Sequence, residues 1–356
     1  MRHKTISSKL MLALSVALAT MPAIEPRHAI ADESTGYSVG TPVSHGGDAG
    51  YARPHRYSYP SRDFDTDGLP VEMREEDVAG MQVFILANSF DGDLSDKKKI
   101  LFVHGGAFVS QLTTEHLWFA AHIAKATGAV VYLPAYPVAN ESSNYLATYP
   151  PMFDLYRLIS EQTPEQNFFV LGDSAGAGLS IGLCQLVAQT PTEGLKQPEN
   201  LILISPWANV TVQPWEELSG AANVWAGDGE SQKTWKVSPT YGNMSGLRRA
   251  TLYNGEGDGL ANSIEMLYHQ LRGNNVDCQL ISMRNADHDY PYRLPSEAAI
   301  KSFNLICSSV TGKLSPQDND MTWMEIIPEV NSFDNGYKNM SQTPKAVTQS
   351  PAYEGK

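Results

Sequence analysis

The chain has few cysteines and little positive charge. Its 356 residues include three cysteines, which is too few for a scaffold held together by disulfides. At most one bridge can form. Cys278–Cys307 is the better pair because Cys184 lies in an apolar stretch, and three buried free thiols are an equally good interpretation. Lysine and arginine number 26 against 39 acidic residues, so the formal net charge is −13. This charge argues against nucleic acid or an anionic membrane surface as a partner.

The apolar run near the N-terminus is too short to insert stably into a membrane. It covers residues 10–19, whereas a bilayer span needs about 20 apolar residues. Basic residues precede it, and Ala29-Ile30-Ala31 follows it. This pattern is typical of a secretory signal peptide. We therefore expect residues 1–31 to be removed after Ala31, with cleavage around Ala19 as the alternative, leaving a secreted or periplasmic protein.

Motifs for metals and nucleotide cofactors are missing as well. The histidines lack the spacing of metal ligands, and Gly-x-Gly-x-x-Gly does not occur. We therefore expect neither a metal nor a cofactor. What the chain does have is enough length, with 42% hydrophobic residues, to bury a sizeable core.

Short apolar strands alternate with helical stretches of about 10–15 residues. Strands are predicted at residues 81–87, 98–103, 129–133, 168–171, 201–204, 250–253 and 279–283. This alternation predicts an α/β fold with a mostly parallel sheet and helices on both faces.

The domain boundaries follow from shifts in composition. We expect an irregular N-terminal arm over residues 32–68, an α/β domain over 69–312 and a C-terminal tail over 313–356. Residues 208–246 interrupt the domain with a long irregular segment that carries three tryptophans. A solvated linker rarely carries so much aromatic surface, so this segment is predicted to be a cap insertion.

The most informative stretch runs from Phe168 to Gly176. Four apolar residues lead into Gly172-Asp173-Ser174-Ala175-Gly176, and a helical run follows. Strand, sharp turn and helix form the context in which Gly-x-Ser-x-Gly is a nucleophile elbow. The hydroxyl of Ser174 would then lie at a helix N-terminus, where developing negative charge is favoured.

A serine hydroxyl needs a base, and the base needs an acid that fixes its tautomer. In this fold the expected order is serine, acid, histidine, with the last two on loops at strand ends. His288 follows the last predicted strand, and Asp258 follows the one before it. Glu256 lies two residues from Asp258 and could also reach the imidazole, so the acid remains open between the two, with Asp258 preferred.

A second component follows the strand at residues 98–103. His104-Gly105-Gly106-Ala107 has glycines whose N–H groups can approach a substrate oxygen without a side chain in the way. We expect Gly105 and Gly106, together with the N–H of Ala175, to form an oxyanion hole.

Together these motifs resemble the hormone-sensitive-lipase-type α/β-hydrolases, a family of esterases and lipases. The resemblance covers roughly residues 80–310. Besides the elbow and residues 104–108, which we call the glycine loop, it includes Ser205-Pro206-Trp207. Three departures stand out: Ala107 replaces the third glycine, Asp258-Gly259-Leu260 replaces Asp-Pro-Leu, and His288-Asp289-Tyr290 replaces His-Gly-Phe. The last places an additional charge beside the expected base.

The resemblance implies the α/β-hydrolase fold and hydrolysis of a small-molecule carboxylic ester through an acyl-enzyme on Ser174. Because no long apolar lid is present, we expect a secreted carboxylesterase that prefers short acyl chains. A lipase, or an amidase or peptidase using the same residues, is the enzymatic alternative. A hydrolase-fold binding protein without catalysis is the other alternative. The sequence leaves the natural ester and the oligomeric state open.

Overall fold

The computed structural model describes residues 64, 66–190, 194–227, 229–292 and 296–312. These ranges cover nearly all of the expected α/β domain. The expected signal peptide, nearly all of the expected arm and the expected tail lie outside the described residues.

The centre of the α/β domain is a sheet of eight strands among the described residues, in the spatial order β1-β2-β4-β3-β5-β6-β7-β8. From β4 onward in this spatial order, neighbouring strands pair in parallel, whereas β2 pairs antiparallel with both β1 and β4. The predicted mostly parallel sheet is confirmed. The strands are β1 (Glu72–Val78), β2 (Met81–Ala87), β3 (Lys99–Val103), β4 (Val130–Ala135), β5 (Phe168–Asp173), β6 (Asn200–Ile204), β7 (Arg249–Gly255) and β8 (Asp277–Met283).

Helices cover both faces of this sheet, as predicted. Apolar residues of α1 and α6 pack on one face, and those of α2, α3, α4 and α5 pack on the other. The helices are α1 (Thr114–Thr127), α2 (Tyr145–Glu161), α3 (Ser174–Gln189), α4 (Glu216–Ala226), α5 (Ala261–Gly273) and α6 (Glu297–Thr311). None of the helices in the described ranges is both long and apolar enough to cross a membrane.

The central strands are apolar along most of their length because both of their faces are covered. In β5, Phe168 and Val170 lie in one core and Phe169 and Leu171 in the other. All five residues of β3 and of β6 are likewise buried. This is why these strands appear in the sequence as unbroken apolar runs.

The three cysteines are free and buried, so the preferred pairing of Cys278 with Cys307 is wrong. Cys278 lies on β8 in the core on one face of the sheet, and Cys307 lies on α6 in the core on the other. The sheet itself separates the two thiols.

Two elements were not predicted. Strand β1 has a charged sequence with only Val78 buried, because it is an edge strand whose one neighbour is β2. Helix α4 lies within the segment that was expected to be irregular. Its buried residues follow helical spacing and give the signal that was overlooked: Leu218, Ala221, Ala222 and Trp225.

The parallel strands bring the candidate residues to one edge of the sheet. Ser174 follows β5, Asp258 follows β7 and His288 follows β8. His104 follows β3, which lies next to β5 in the sheet. The carboxyl ends of these strands point the same way, and ligands of open α/β sheets bind beyond those ends.

Candidate active site

Ser174 lies at the turn between β5 and α3 with a φ of +49°. An L-residue adopts this left-handed conformation only with strain, which its surroundings must hold in place. One constraint is the packing of Gly176: a Cβ there would lie 2.1 Å from the carbonyl oxygen of Val103 and 2.3 Å from that of His104. The first turn of α3 therefore rests directly on the end of β3, at a distance that only glycine allows.

The side chain of His288 joins Ser174 to Asp258. Its Nε2 lies 2.9 Å from Oγ of Ser174, and its Nδ1 lies 2.9 Å from Oδ2 of Asp258. An ionised carboxylate can only accept, so Nδ1 carries the proton and Nε2 of the neutral ring can accept the serine hydroxyl. All three residues are buried, which shields the hydrogen-bonded chain from water.

Asp258, rather than Glu256, contacts the imidazole. The second carboxylate oxygen of Asp258 accepts the N–H of Leu260 at 2.9 Å, which fixes the orientation of the side chain. Glu256 is exposed on the same loop. The structure thus brings together the serine, the histidine and the preferred acid.

The expectation that Gly105 supplies an oxyanion donor has to be corrected. Its N–H donates to Oδ1 of Asp173 at 2.9 Å and is not available to a substrate. In the part of the chain that the structure describes, the N–H groups of Gly106, Ala107 and Ala175 have no acceptor. Gly106 and Ala107 both have positive φ, of +111° and +52°. Ala107, which the sequence suggested only as a substitute for glycine, is the additional candidate donor.

Asp173 fastens the glycine loop to the elbow. Besides accepting from Gly105, its other oxygen lies 3.2 Å from Nε2 of His116 on α1. Nδ1 of His116 accepts the N–H of Thr113 at 2.9 Å, so the proton of the neutral ring lies on Nε2 and points to Asp173. The loop, the elbow and α1 are therefore linked through one carboxylate.

His104 supports the same loop from within the core. Its ring stacks on Tyr136 with centroids 4.1 Å apart, and Nδ1 lies 2.6 Å from the carbonyl oxygen of Gly105. Burial and, more weakly, His116 lower the pKa of this imidazole to about 3, against the smaller opposing effects of the hydrogen bond to Gly105 and of Asp173. The ring is therefore neutral and serves as a hydrogen-bond donor, not as a second base.

The segment between β6 and β7 lies against the candidate residues. The indole of Trp215 packs edge-on against the ring of His288, with centroids 5.1 Å apart. Farther along, Trp225 of α4 stacks on Phe108 of the glycine loop, with centroids 4.2 Å apart and planes within 6°. Aromatic contacts thus hold this segment over both halves of the site.

A cavity of about 460 Å³ lies between the glycine loop and α4. Apolar atoms form most of its lining, to which Glu141 and Glu217 also contribute. A second cavity, of about 420 Å³, lies against β8 and α6 and contains none of the candidate residues. Within the described residues, no group of three or more histidine, cysteine or acidic side chains could hold a metal ion. Of these two cavities, the first is the one that lies beside the candidate residues, since Ala107 is part of its lining.

Comparison with known proteins agrees with this arrangement. A family model described as the alpha/beta hydrolase fold matches residues 100–292. A triacylglycerol lipase of Mycobacterium tuberculosis is 31% identical over 170 residues, which are 48% of this chain and 37% of that protein. An acetyl-hydrolase of Streptomyces hygroscopicus is 29% identical over 119 residues, which are 33% of this chain and 38% of that protein. The chain spans about half or less of the length of the curated relatives that it matches.

Solved structures share the fold. A hormone-sensitive-lipase homologue, EstE7 from a metagenome library, has a TM-score of 0.62 at 22% identity and covers 71% of this chain and 90% of its own. A hyperthermophilic esterase from the archaeon Pyrobaculum calidifontis has a TM-score of 0.60 at 19% identity, with coverage of 68% and 85%. The resemblance that the sequence motifs suggested is confirmed.

The glycine loop yields a direct test of the candidate donors. A Cβ at Gly105 would lie 2.2 Å from Oδ2 of Asp173, so Gly105→Ala must displace the loop and its N–H groups. We expect covalent labelling of Ser174 by a fluorophosphonate to slow by about 10²-fold, the typical effect of losing one oxyanion donor. The measurement is the second-order labelling rate, with circular dichroism to verify the fold.

Gly273→Ala is the matched control, since no atom lies within 4 Å of a Cβ added at that helix end. It should label at the wild-type rate. Labelling of a folded Gly105→Ala variant at the wild-type rate would contradict the assignment of this loop.

Proposed function

The chain belongs to the alpha/beta hydrolase fold family, and we propose that it is a serine carboxylesterase that hydrolyses short-chain esters through an acyl-enzyme on Ser174. One observation carries this proposal: the unbroken chain from Asp258 through His288 to Ser174, with 2.9 Å at both of its hydrogen bonds. A buried serine on a strained turn, joined to a base of fixed tautomer, is the arrangement that nucleophilic acyl transfer needs.

In the first step Oγ of Ser174 attacks the ester carbonyl carbon while its proton passes to Nε2 of His288. The carboxylate of Asp258 stabilises the imidazolium that forms. The carbonyl oxygen becomes an oxyanion, and the N–H groups of Gly106, Ala107 and Ala175 are the candidate donors to it. Each such donor contributes roughly 3–4 kcal/mol to the transition state.

The imidazolium then gives its proton to the leaving alcohol oxygen as the C–O bond breaks, which leaves the acyl group on Ser174. In the second step His288 takes a proton from a water molecule as that water attacks the acyl carbon. The bond between the acyl carbon and Oγ of Ser174 then breaks, His288 returns the proton to Oγ, and the carboxylic acid is released.

The cavity beside the glycine loop supports the substrate class. Its volume of about 460 Å³ falls within the range of small-molecule sites, and its lining is mostly apolar. Ala107 belongs both to this lining and to the candidate donors, so an acyl or alcohol chain in the cavity would lie next to the reacting carbonyl. The relatives named a triacylglycerol lipase and an acetyl-hydrolase also support a carboxylic ester.

Two further features belong to the proposal. We infer that residues 208–246 act as a cap, since Trp215 and Trp225 of this segment contact His288 and the glycine loop. We also infer that the basic start and the apolar run over residues 10–19 direct export with cleavage after Ala31. N-terminal sequencing of the exported protein tests the cleavage site.

Chain-length preference provides the test of activity. We expect hydrolysis of 4-nitrophenyl acetate and butyrate, with kcat/KM falling by at least about 10-fold toward the decanoate, because the sequence has no long apolar lid that would bury a long acyl chain. Ser174→Ala should lose at least about 10⁴-fold at every chain length, since its nucleophile is gone. The release of 4-nitrophenol at matched enzyme concentrations measures both effects.

Equal turnover of the decanoate would favour the lipase alternative suggested by the relative from M. tuberculosis. If the wild type and Ser174→Ala are equally slow on all three esters, the proposal fails for these substrates. Amide cleavage or ligand binding would then become the better hypotheses.

A further inference from the structure

A second carboxylate, that of Asp289, lies on the Ser174 side of the candidate base. Its Oδ2 is 3.3 Å from Nε2 of His288. The same nitrogen lies 2.9 Å from Oγ of Ser174, whereas Asp258 contacts the opposite nitrogen. The imidazole is therefore placed between two carboxylates, one at each nitrogen.

The backbone holds Asp289 in this position at the expense of conformational strain. Its φ is +52°, a left-handed value that glycine adopts much more readily than aspartate. Its N–H donates to Oγ of Ser205 at 3.0 Å, and Ser205 also has a positive φ, of +43°. Two strained residues thus meet through one hydrogen bond. In the His-Gly-Phe motif of the family that the sequence resembles, this position is glycine. Aspartate therefore adds a charge here and also adds backbone strain that glycine would not have.

The side chain of Asp289 is not neutralised by a hydrogen-bond donor other than His288. Among the described residues its Oδ1 is buried and has no hydrogen-bond partner. Its side chain keeps 16% of its possible exposure, so water solvates it only weakly. A carboxylate so placed interacts strongly with any positive charge that forms on the adjacent ring.

We propose that Asp289 is a positioning residue for the reaction, a second carboxylate that holds the imidazolium form of His288 from the Ser174 side and moves the working range of the enzyme to alkaline pH. This rests on the proposed function, because His288 must be the base. The charged groups around the imidazole come from several elements. Asp258 follows β7, Asp289 shares the loop of His288, and Asp173 lies at the elbow.

The remaining neighbours do not cancel this effect. His116 on α1 faces both Asp173 and Asp289, and the packed surface of Trp215 is uncharged. Burial lowers the pKa of His288, but Asp289 first, and then Asp258 and Asp173, more than offset this and raise the pKa to about 9. Burial raises the pKa of Asp289, and Asp173 and Asp258 raise it further, whereas His288 and, more weakly, His116 oppose this. Asp289 is therefore ionised together with a protonated His288, as an ion pair.

Two opposite consequences follow for the reaction. Before attack, the carboxylate of Asp289 favours a protonated His288, and a protonated ring cannot take the proton from Oγ of Ser174. During attack that proton does move to Nε2, and Asp289 then stabilises the positive charge. Activity should therefore be suppressed at neutral pH and enhanced at alkaline pH.

The test is the pH dependence of kcat/KM for 4-nitrophenyl acetate in the wild type and in Asp289→Asn. Asparagine tolerates a left-handed backbone and keeps the size of the side chain. The rising limb of the profile should lie near pH 9 in the wild type and more than about one pH unit lower in the variant. The two profiles should cross, with the variant faster at neutral pH and slower on the alkaline plateau.

Asp287→Asn is the matched control. It removes the same charge from the other side of His288 in sequence, and Asp287 is exposed, whereas Asp289 is half-buried against Nε2 of the imidazole. Its profile should follow that of the wild type. Asp289→Gly removes the same charge and relieves the backbone strain. Its kcat/KM should rise over the same pH range as that of Asp289→Asn, which would show that the shift does not come from a folding defect.

A titration of the imidazole by NMR separates this proposal from the proposed function. The His288 resonances should titrate more than about one pH unit lower in Asp289→Asn than in the wild type, whether or not an ester is hydrolysed. Coincident titrations would overturn the proposal, and so would a variant that loses activity by the same factor at every pH. If the His288 titration shifts as expected but the wild type hydrolyses no ester, the proposed function is refuted and the proposal about Asp289 is not.

Discussion

The close approach of α3 to the end of β3 determines how the site is built. Gly176 leaves no room for a side chain between the helix and the carbonyl oxygens of Val103 and His104. The chain therefore turns sharply at Ser174, whose backbone is strained, and the serine hydroxyl lies next to the glycine loop that follows β3. The bond from the N–H of Gly105 to Asp173 then joins loop and elbow from the other direction. Ser174 and the candidate donors are thus positioned by the same contact, between the first turn of α3 and the end of β3.

Much of this could be predicted from the sequence, because the parallel sheet converts chain order into spatial proximity. Ser174 and Asp258 follow the buried apolar strands β5 and β7, and His288 follows the half-buried edge strand β8. Such strands are recognisable without any knowledge of tertiary contacts. Five of the six helices that cover the two faces are also predictable from the alternation of short strands and helical stretches, the exception being α4. The exposed edge strand β1 could not be found in this way, since its charged residues carry no apolar pattern.

The errors concern interactions between residues that are distant in sequence. Nothing in the local pattern shows that Asp173 accepts the N–H of Gly105, which leaves Ala107 as the additional candidate donor. The pairing of Cys278 with Cys307 failed because the sheet places the two thiols in different cores. Asp289 was noticed as an additional charge, but its contact with Nε2 of His288 depends on a left-handed turn that the sequence does not specify.

The central claim is that Ser174 carries the acyl group during turnover. Rapid acid quenching during hydrolysis of 4-nitrophenyl butyrate, followed by peptide mapping with mass spectrometry, tests it most directly. We predict a butyryl adduct on the peptide that contains Gly172 to Gly176, and fragmentation should locate it on Ser174. Turnover with the adduct on another residue, or with no adduct at any quench time even for a variant slowed in deacylation, would contradict this claim.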